Sequence, residues 1–274
     1  MNDRIDKNHI FQQQGAQQTV QKQNLAVPDV EVSLPSRGKL YPPGHSLHLA
    51  ESVGIYSMGT AQEDILTNKS LAQKGTTIQE LIRSVLCDKS IDVSDMLIGD
   101  KSALLIAIRI TGFGHEYETE MTCPKCENKS SFPFDLSALP IRELEIEPVS
   151  PGVNEFEYTL PSGTHVTFKF LSEKEETEIQ KISEKLQKGN LIMQDKPITT
   201  RLKYQILSVN GNRDKSYIGK FCENVKTRDS RPLRKYMNDN EPGISIKQPY
   251  ICSKCEFEKE VVVPLGPQFF WPDM

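Results

Sequence analysis

Two short cysteine pairs, Cys123-Pro-Lys-Cys126 and Cys252-Ser-Lys-Cys255, constrain this chain more than any other feature. A Cys-x-x-Cys turn presents two sulfurs on one tight bend. Four such thiolates at about 2.3 Å satisfy a structural Zn2+ and leave no coordination position open for chemistry. The flanks repeat too: Glu116 to Met121 and Lys129 to Phe134 surround the first turn, Ile246 to Ile251 and Glu256 to Val263 the second. Each half reads as strand, knuckle, strand. The spacing therefore predicts a zinc ribbon built from two distant pieces, with Cys123, Cys126, Cys252 and Cys255 as the metal ligands.

Closing such a site ties off a loop of about 125 residues. Loop-closure entropy grows only logarithmically with length, so a long insertion is tolerated once the metal bonds exist. Six cysteines at these spacings suit metal ligation in a reducing compartment better than a secreted disulfide framework. Cys87 and Cys222 are the two outside the pairs, and Cys87 reads as plain core. No apolar run approaches the roughly 18 to 20 residues needed to cross a bilayer, and the N-terminus lacks a signal-peptide core. A soluble, intracellular protein is expected.

The chain divides by composition. Residues 1 to 27 are polar and glutamine-rich, an arm with too few apolar groups to offset the entropy of ordering. Residues 28 to 115 hold turns at Pro35-Ser-Arg-Gly38 and Tyr41-Pro-Pro-Gly44, a short strand, and three expected helices. These helices start at Thr60 and Thr77, each opening a capping box, and near Asp100. The ribbon comprises residues 116 to 138 with 244 to 264. Between its halves, residues 139 to 243 read as a hairpin around Pro161-Ser-Gly163 followed by helices at Ser172, Pro197 to Val209, Asp214, and Arg228 to Met237. The expected class is α+β: a helical N-terminal region and a four-cysteine zinc ribbon formed by two distant knuckles, with a mixed hairpin-plus-helix insert between them.

Motifs of catalysis are missing from the sequence: no GxxxxGK[ST], no GxGxxG after a strand, no HExxH and no GxSxG. His45, His48 and Glu51 make the one imaginable acid/base cluster, and loop histidines in water are the plainer account. A non-enzymatic protein is expected. Zinc ribbons often serve nucleic-acid machinery, so a nucleic-acid-binding or transcription-associated factor is the competing function. The ribbon segments, however, set five lysines against eight carboxylates, and the whole chain carries a net charge of −4. Phosphate binding calls for clustered Lys and Arg, which these strands do not supply.

The last residues, 265 to 274, carry Phe269, Phe270 and Trp271 between prolines. Such a tail combines large apolar area with low rotamer cost, which suits an anchor in another protein's groove. These three aromatics are the expected partner-binding residues; folding back onto the ribbon is the alternative.

Several stretches together resemble one family. They are Leu34-Pro-Ser-Arg-Gly-Lys-Leu-Tyr41-Pro42, the Thr60 to Leu66 segment, Asp100 to Arg109 ahead of the first knuckle, and the Phe269-Phe-Trp-Pro272 ending. The chain from about Val30 onward resembles the baseplate hub assembly proteins of T-even-like contractile-tailed bacteriophages. That resemblance implies a late morphogenesis factor, a chaperone or structural component of the hub. Its partners would be other baseplate hub proteins, with the tape-measure protein a further candidate. It would act in the host cytoplasm during assembly, with a place in the virion tail baseplate. No catalytic residue follows from the resemblance.

Overall fold

The computed structural model describes residues 27–188, 196–263 and 269–270. The glutamine-rich arm through residue 26 and Trp271 lie outside these.

The described chain opens with an antiparallel pair, β1 (Val30–Ser33) and β2 (Ser52–Ile55), joined by a run of turns. Those turns need glycine at 38. Its φ is +67°, and a Cβ there would meet the Ala50 nitrogen at 2.3 Å. Next come α1 (Thr60–Thr67), α2 (Lys69–Lys74) and α3 (Thr77–Val85). The box expected at Thr60 and Glu63 sits one residue earlier, where the Gly59 amide donates to Gln62 Oε1 at 3.0 Å. A single helix running to Gln73 was expected, but the chain breaks at Asn68. The Asn68 carboxamide turns back to accept from the Ser70 and Leu71 amides and so caps a new helix. On α3 the predicted stripe holds: Leu81, Ile82 and Val85 are buried. Cys87 lies just past that helix, half-buried rather than fully in the core.

The next helix, α4 (Ile98–Phe113), is the central strut. It leads into the hairpin β3 (Glu116–Thr122) and β4 (Lys129–Asp135), after which β5 (Ile141–Arg142) crosses toward the end of the chain. The insert contributes β6 (Phe156–Thr159), β7 (His165–Phe168), α5 (Glu173–Lys188) and α6 (Pro197–Gln205). β8 (Ile206–Val209), α7 (Lys215–Asn224) and α8 (Thr227–Asn240) follow. β9 (Gly243–Ile244) pairs with β5, and β10 (Lys247–Ile251) with β11 (Glu258–Val262) makes the second hairpin. No described helix is long and apolar enough to cross a membrane.

The helix expected over Pro197 to Val209 stops at Gln205. Residues 206 to 209 instead form the third strand of the β6-β7-β8 sheet, with Val209 opposite Val166 and Ser208 opposite Thr167. Pairing with a strand already in place outweighs local helical spacing there.

One continuous hydrophobic core joins the N-terminal helices to the insert, running from Leu34 and Leu81 through Leu104 to Phe168, Leu202 and Leu233. Its tightest seam lies where α4 begins. A Cβ on Gly99 would meet the Pro242 carbonyl oxygen at 1.8 Å, so only glycine lets the helix lie against the strand that feeds the second hairpin. Backbone contact at Gly99 and the β5–β9 pair therefore bring together the segment that follows the first hairpin and the one that precedes the second.

Candidate metal centre

Each knuckle is built by the same local device. Glu127 N–H donates to the Cys123 carbonyl at 2.9 Å, and Cys123 N–H donates to the Asn128 carbonyl at 2.9 Å. In the second, Glu256 N–H reaches the Cys252 carbonyl and Cys252 N–H the Phe257 carbonyl, both at 3.0 Å. Closing a turn this tight drives the residue after the second cysteine into the left-handed region, at φ 55° for Glu127 and 53° for Glu256. The two knuckles thus repeat one another bond for bond.

The four predicted ligands converge. All four sulfurs lie within 4.8 Å of one another, with Cys123 and Cys252 buried and Cys126 and Cys255 half-buried. The cross-knuckle pairs Cys123–Cys255 and Cys126–Cys252 are each 3.7 Å apart. A regular tetrahedron of thiolates with metal–sulfur bonds of about 2.3 Å has edges of about 3.8 Å. Disulfides, with sulfurs about 2.05 Å apart, are excluded at this separation, and all six cysteines are free. Four sulfurs at these spacings are a donor set for a closed metal site with no ligand position left for substrate.

The electrostatics prepare the sulfurs unequally. Main-chain amides of Lys254 and Cys255 aim at the Cys252 sulfur and pull its pKa down to about 6. Burial and the neighbouring sulfurs push Cys255 up to about 12. A divalent cation at the centre would reverse that preference, because it turns mutual repulsion of thiolates into shared attraction.

The surrounding apolar shell is thin. Only Cys123, Tyr250 and Cys252 are fully buried in this cluster, with Met121, Phe132, Phe257 and Val261 packed against them. Phe132 from the first hairpin meets Tyr250 from the second edge-on, with ring centroids 5.3 Å apart. Burying one side chain stabilises by about 1.5–3 kcal/mol. Ordering a residue costs about 1–2 kcal/mol in backbone entropy, and two whole hairpins must be ordered here. Metal ligation, on the order of 10 kcal/mol for structural sites, would add to this packing.

Phe269 and Phe270, the described part of the aromatic tail, pack inward. Phe269 and Phe270 are 1% and 3% exposed, which leaves neither ring free for a partner. Phe269 sits edge-on to Tyr117 of β3, with ring centroids 5.2 Å apart, and its carbonyl accepts a 2.8 Å bond from Arg109 Nε. The physical reason is that α4 and β3 already present an apolar cradle with a donor at its base. This packing of Phe269 and Phe270 is the folding-back alternative.

The histidines of the imagined acid/base cluster serve their own turn. His45 Nδ1 accepts from the Leu47 amide at 3.0 Å, its ring stacks on Tyr41, and His48 Nδ1 lies 2.6 Å from the Tyr41 carbonyl.

A family model described as T4 bacteriophage base plate protein matches residues 28–271, most of the chain. The protein belongs to this baseplate family. No curated protein and no solved structure matches it. Membership makes it a bacteriophage tail baseplate component that meets other baseplate components.

The stretches that carry the family likeness also meet in space. Asp100, fully buried at the start of α4, accepts from the Ser36 amide at 2.9 Å, the Ser36 hydroxyl at 2.6 Å and the Tyr41 hydroxyl at 2.7 Å. Burial nevertheless holds its pKa above the usual carboxylate value. The opening turn of the baseplate chain is thus pinned to its central helix by one carboxyl group. This node and the Arg109–Phe269 bond escape a reading of the sequence because both join residues far apart in the chain. The sole local hint was polar residues on an otherwise apolar helix.

Proposed function

We infer that this baseplate protein is a hub assembly component, a chaperone or structural part, whose two halves are fastened by a structural Zn2+ held by Cys123, Cys126, Cys252 and Cys255. Four sulfurs spaced as a tetrahedral thiolate site carry the metal reading. The site is closed, so the ion supplies stability rather than catalysis. Ribbon residues 116–138 with 244–264 act in this reading as a clasp across the long insert, residues 139–243. The hub is the part of the baseplate favoured by the opening turn, the α4 start and the first knuckle, which carry the resemblance. The partners are other hub proteins and the tape-measure protein, met in the host cytoplasm while the tail is built.

Affinity capture of the tagged protein from phage-infected cells, with mass spectrometry of what co-purifies, tests the assignment. Recovery of hub proteins supports it. Recovery of peripheral baseplate proteins alone would overturn the hub reading and leave the family membership intact. Metal analysis of the purified protein is expected to give one zinc per chain. Salt-sensitive retention on duplex DNA without any baseplate protein would instead favour a nucleic-acid role.

A further inference from the structure

The C-terminal half of the insert carries a second feature that the metal clasp does not explain. A cleft of about 590 Å³ opens between α6 and α8. Leu202 and Met237 form its floor, while Ile198, half exposed, and Arg201, Arg231 and Arg234 line its rim. The cations in this cleft are not equally engaged. Arg201 is held by Glu176 at 2.8 Å, and Lys235 pairs with Asp239 on its own helix. Arg231 and Arg234 have no ion pair among the described residues, and Arg234 Nε donates only to the Ser230 carbonyl one turn back. Half-buried Glu241 also lines the cleft, with Arg201 and Arg142 among the charges acting on it.

The matching charges lie on the first hairpin. Strand alternation buries Tyr117 and turns Glu116, Glu118 and Glu120 outward. Across the hairpin these residues stand opposite Asp135, Pro133 and Ser131 in turn. None of the three glutamates has an ion pair among the described residues; Glu118 accepts only the Ser131 hydroxyl at 3.1 Å. Successive outward carboxylates on a strand are about 7 Å apart. They form an unneutralised acidic ridge with exposed Pro133 beside it, the counterpart of an arginine-rimmed cleft with an apolar floor.

We propose that copies of this chain associate head to tail, the Glu116–Glu118–Glu120 ridge of one copy seating in the α6–α8 arginine cleft of the next. Two different patches of one molecule make the contact heterologous, so it generates a ring or an open filament rather than a closed two-fold dimer. The net charge of −4 does not oppose this, because screening confines charge interactions to about 8 Å at physiological salt and leaves the local patches in control. A nucleic-acid backbone fits the cleft less well, because it brings no apolar group like Pro133 to cover Ile198.

Sedimentation velocity on the full chain tests the contact. Wild-type protein is expected to associate at about 50 mM salt and to lose at least tenfold in affinity by about 500 mM. A cleft variant, Arg231→Gln with Arg234→Gln, and a ridge variant, Glu118→Gln with Glu120→Gln, are each expected to be monomeric. An equimolar mixture of the two is expected to form dimers and nothing larger, because only one intact cleft and one intact ridge remain to meet. Unchanged thermal melts of both variants establish that folding is not at issue. The proposal is overturned by a wild type that stays monomeric, by variants that still self-associate, or by a mixture that fails to dimerise. A cleft variant whose only defect is loss of a duplex-DNA gel shift overturns it in favour of polyanion binding.

Discussion

Arg109 Nε donates a 2.8 Å hydrogen bond to the main-chain oxygen of Phe269, a residue 160 positions later in the chain. A second nitrogen of the same guanidinium reaches the Gly114 carbonyl, and the group lies 4.6 Å from the centre of the Phe113 ring. This arginine binds the end of the chain to the end of its central helix.

Phe269→Ala should therefore destabilise the monomer itself, by about 3–5 kcal/mol for a fully buried ring. Arg109→Met should cost about 1–3 kcal/mol by leaving two inward carbonyls without donors. Urea unfolding measures both. Variants that unfold like wild type would return the tail to the partner-docking role.

Cysteine replacement should act on the clasp in a way that distinguishes metal loss from lost packing. Cys126→Ser is expected to abolish stoichiometric zinc and to lower the melting temperature steeply, while chelation of wild-type protein reproduces that fall. Chelator titration followed by a zinc-sensitive dye, alongside thermal melts, reads both quantities. A melt indifferent to chelator would remove the fastening role.

Asp100 gives a pH signature. Its folded pKa is raised by burial, so the native state holds this proton to higher pH than the unfolded chain does. Its contribution to stability is greatest below the unfolded carboxyl value of about 3.9 and declines as pH rises from there through the folded pKa. Asp100→Asn should flatten that part of the curve. Asp100→Ala should cost about 3 kcal/mol or more, because the Ser36 and Tyr41 donors lose their common acceptor. Denaturant unfolding from pH 4 upward tests the slope.

Glu127 and Glu256 occupy left-handed backbone that an L-residue adopts at a cost of about 1–2 kcal/mol. Glycine at either position relieves this strain but adds about 0.5–1 kcal/mol of chain entropy in the unfolded state. Glu127→Gly and Glu256→Gly should each raise stability by about 0.5 kcal/mol, visible as a small rise in melting temperature with zinc content unchanged. A fall would show that these side chains contribute something beyond their backbone shape.

The four-cysteine cluster was legible because a Cys-x-x-Cys turn is a local object, and two of them with matching flanks leave few alternatives. The α3 stripe was legible for the same reason: Ile78, Leu81, Ile82 and Val85 declare their face through spacing alone. β8 was not, since Leu202 and Ile206 continue a helical period and only the presence of β7 alongside makes residues 206–209 extended. Aromatic rings at a chain end carry no mark of whose core they enter. Phe269 needed the position of Tyr117 and Arg109 to decide that question. The Asp100 node was hidden by distance, because Ser36 lies 64 residues away.

Separation along the chain also sets a schedule. Cys252 follows Cys126 by 126 residues, so at about 5–20 residues per second a ribosome delivers the second sulfur pair on the order of ten seconds after the first. During that interval the nascent protein displays two of the four sulfurs without their partners. A product released early lacks the closing pair altogether. Closure of a site by these four sulfurs would therefore have to wait until the second knuckle has been translated.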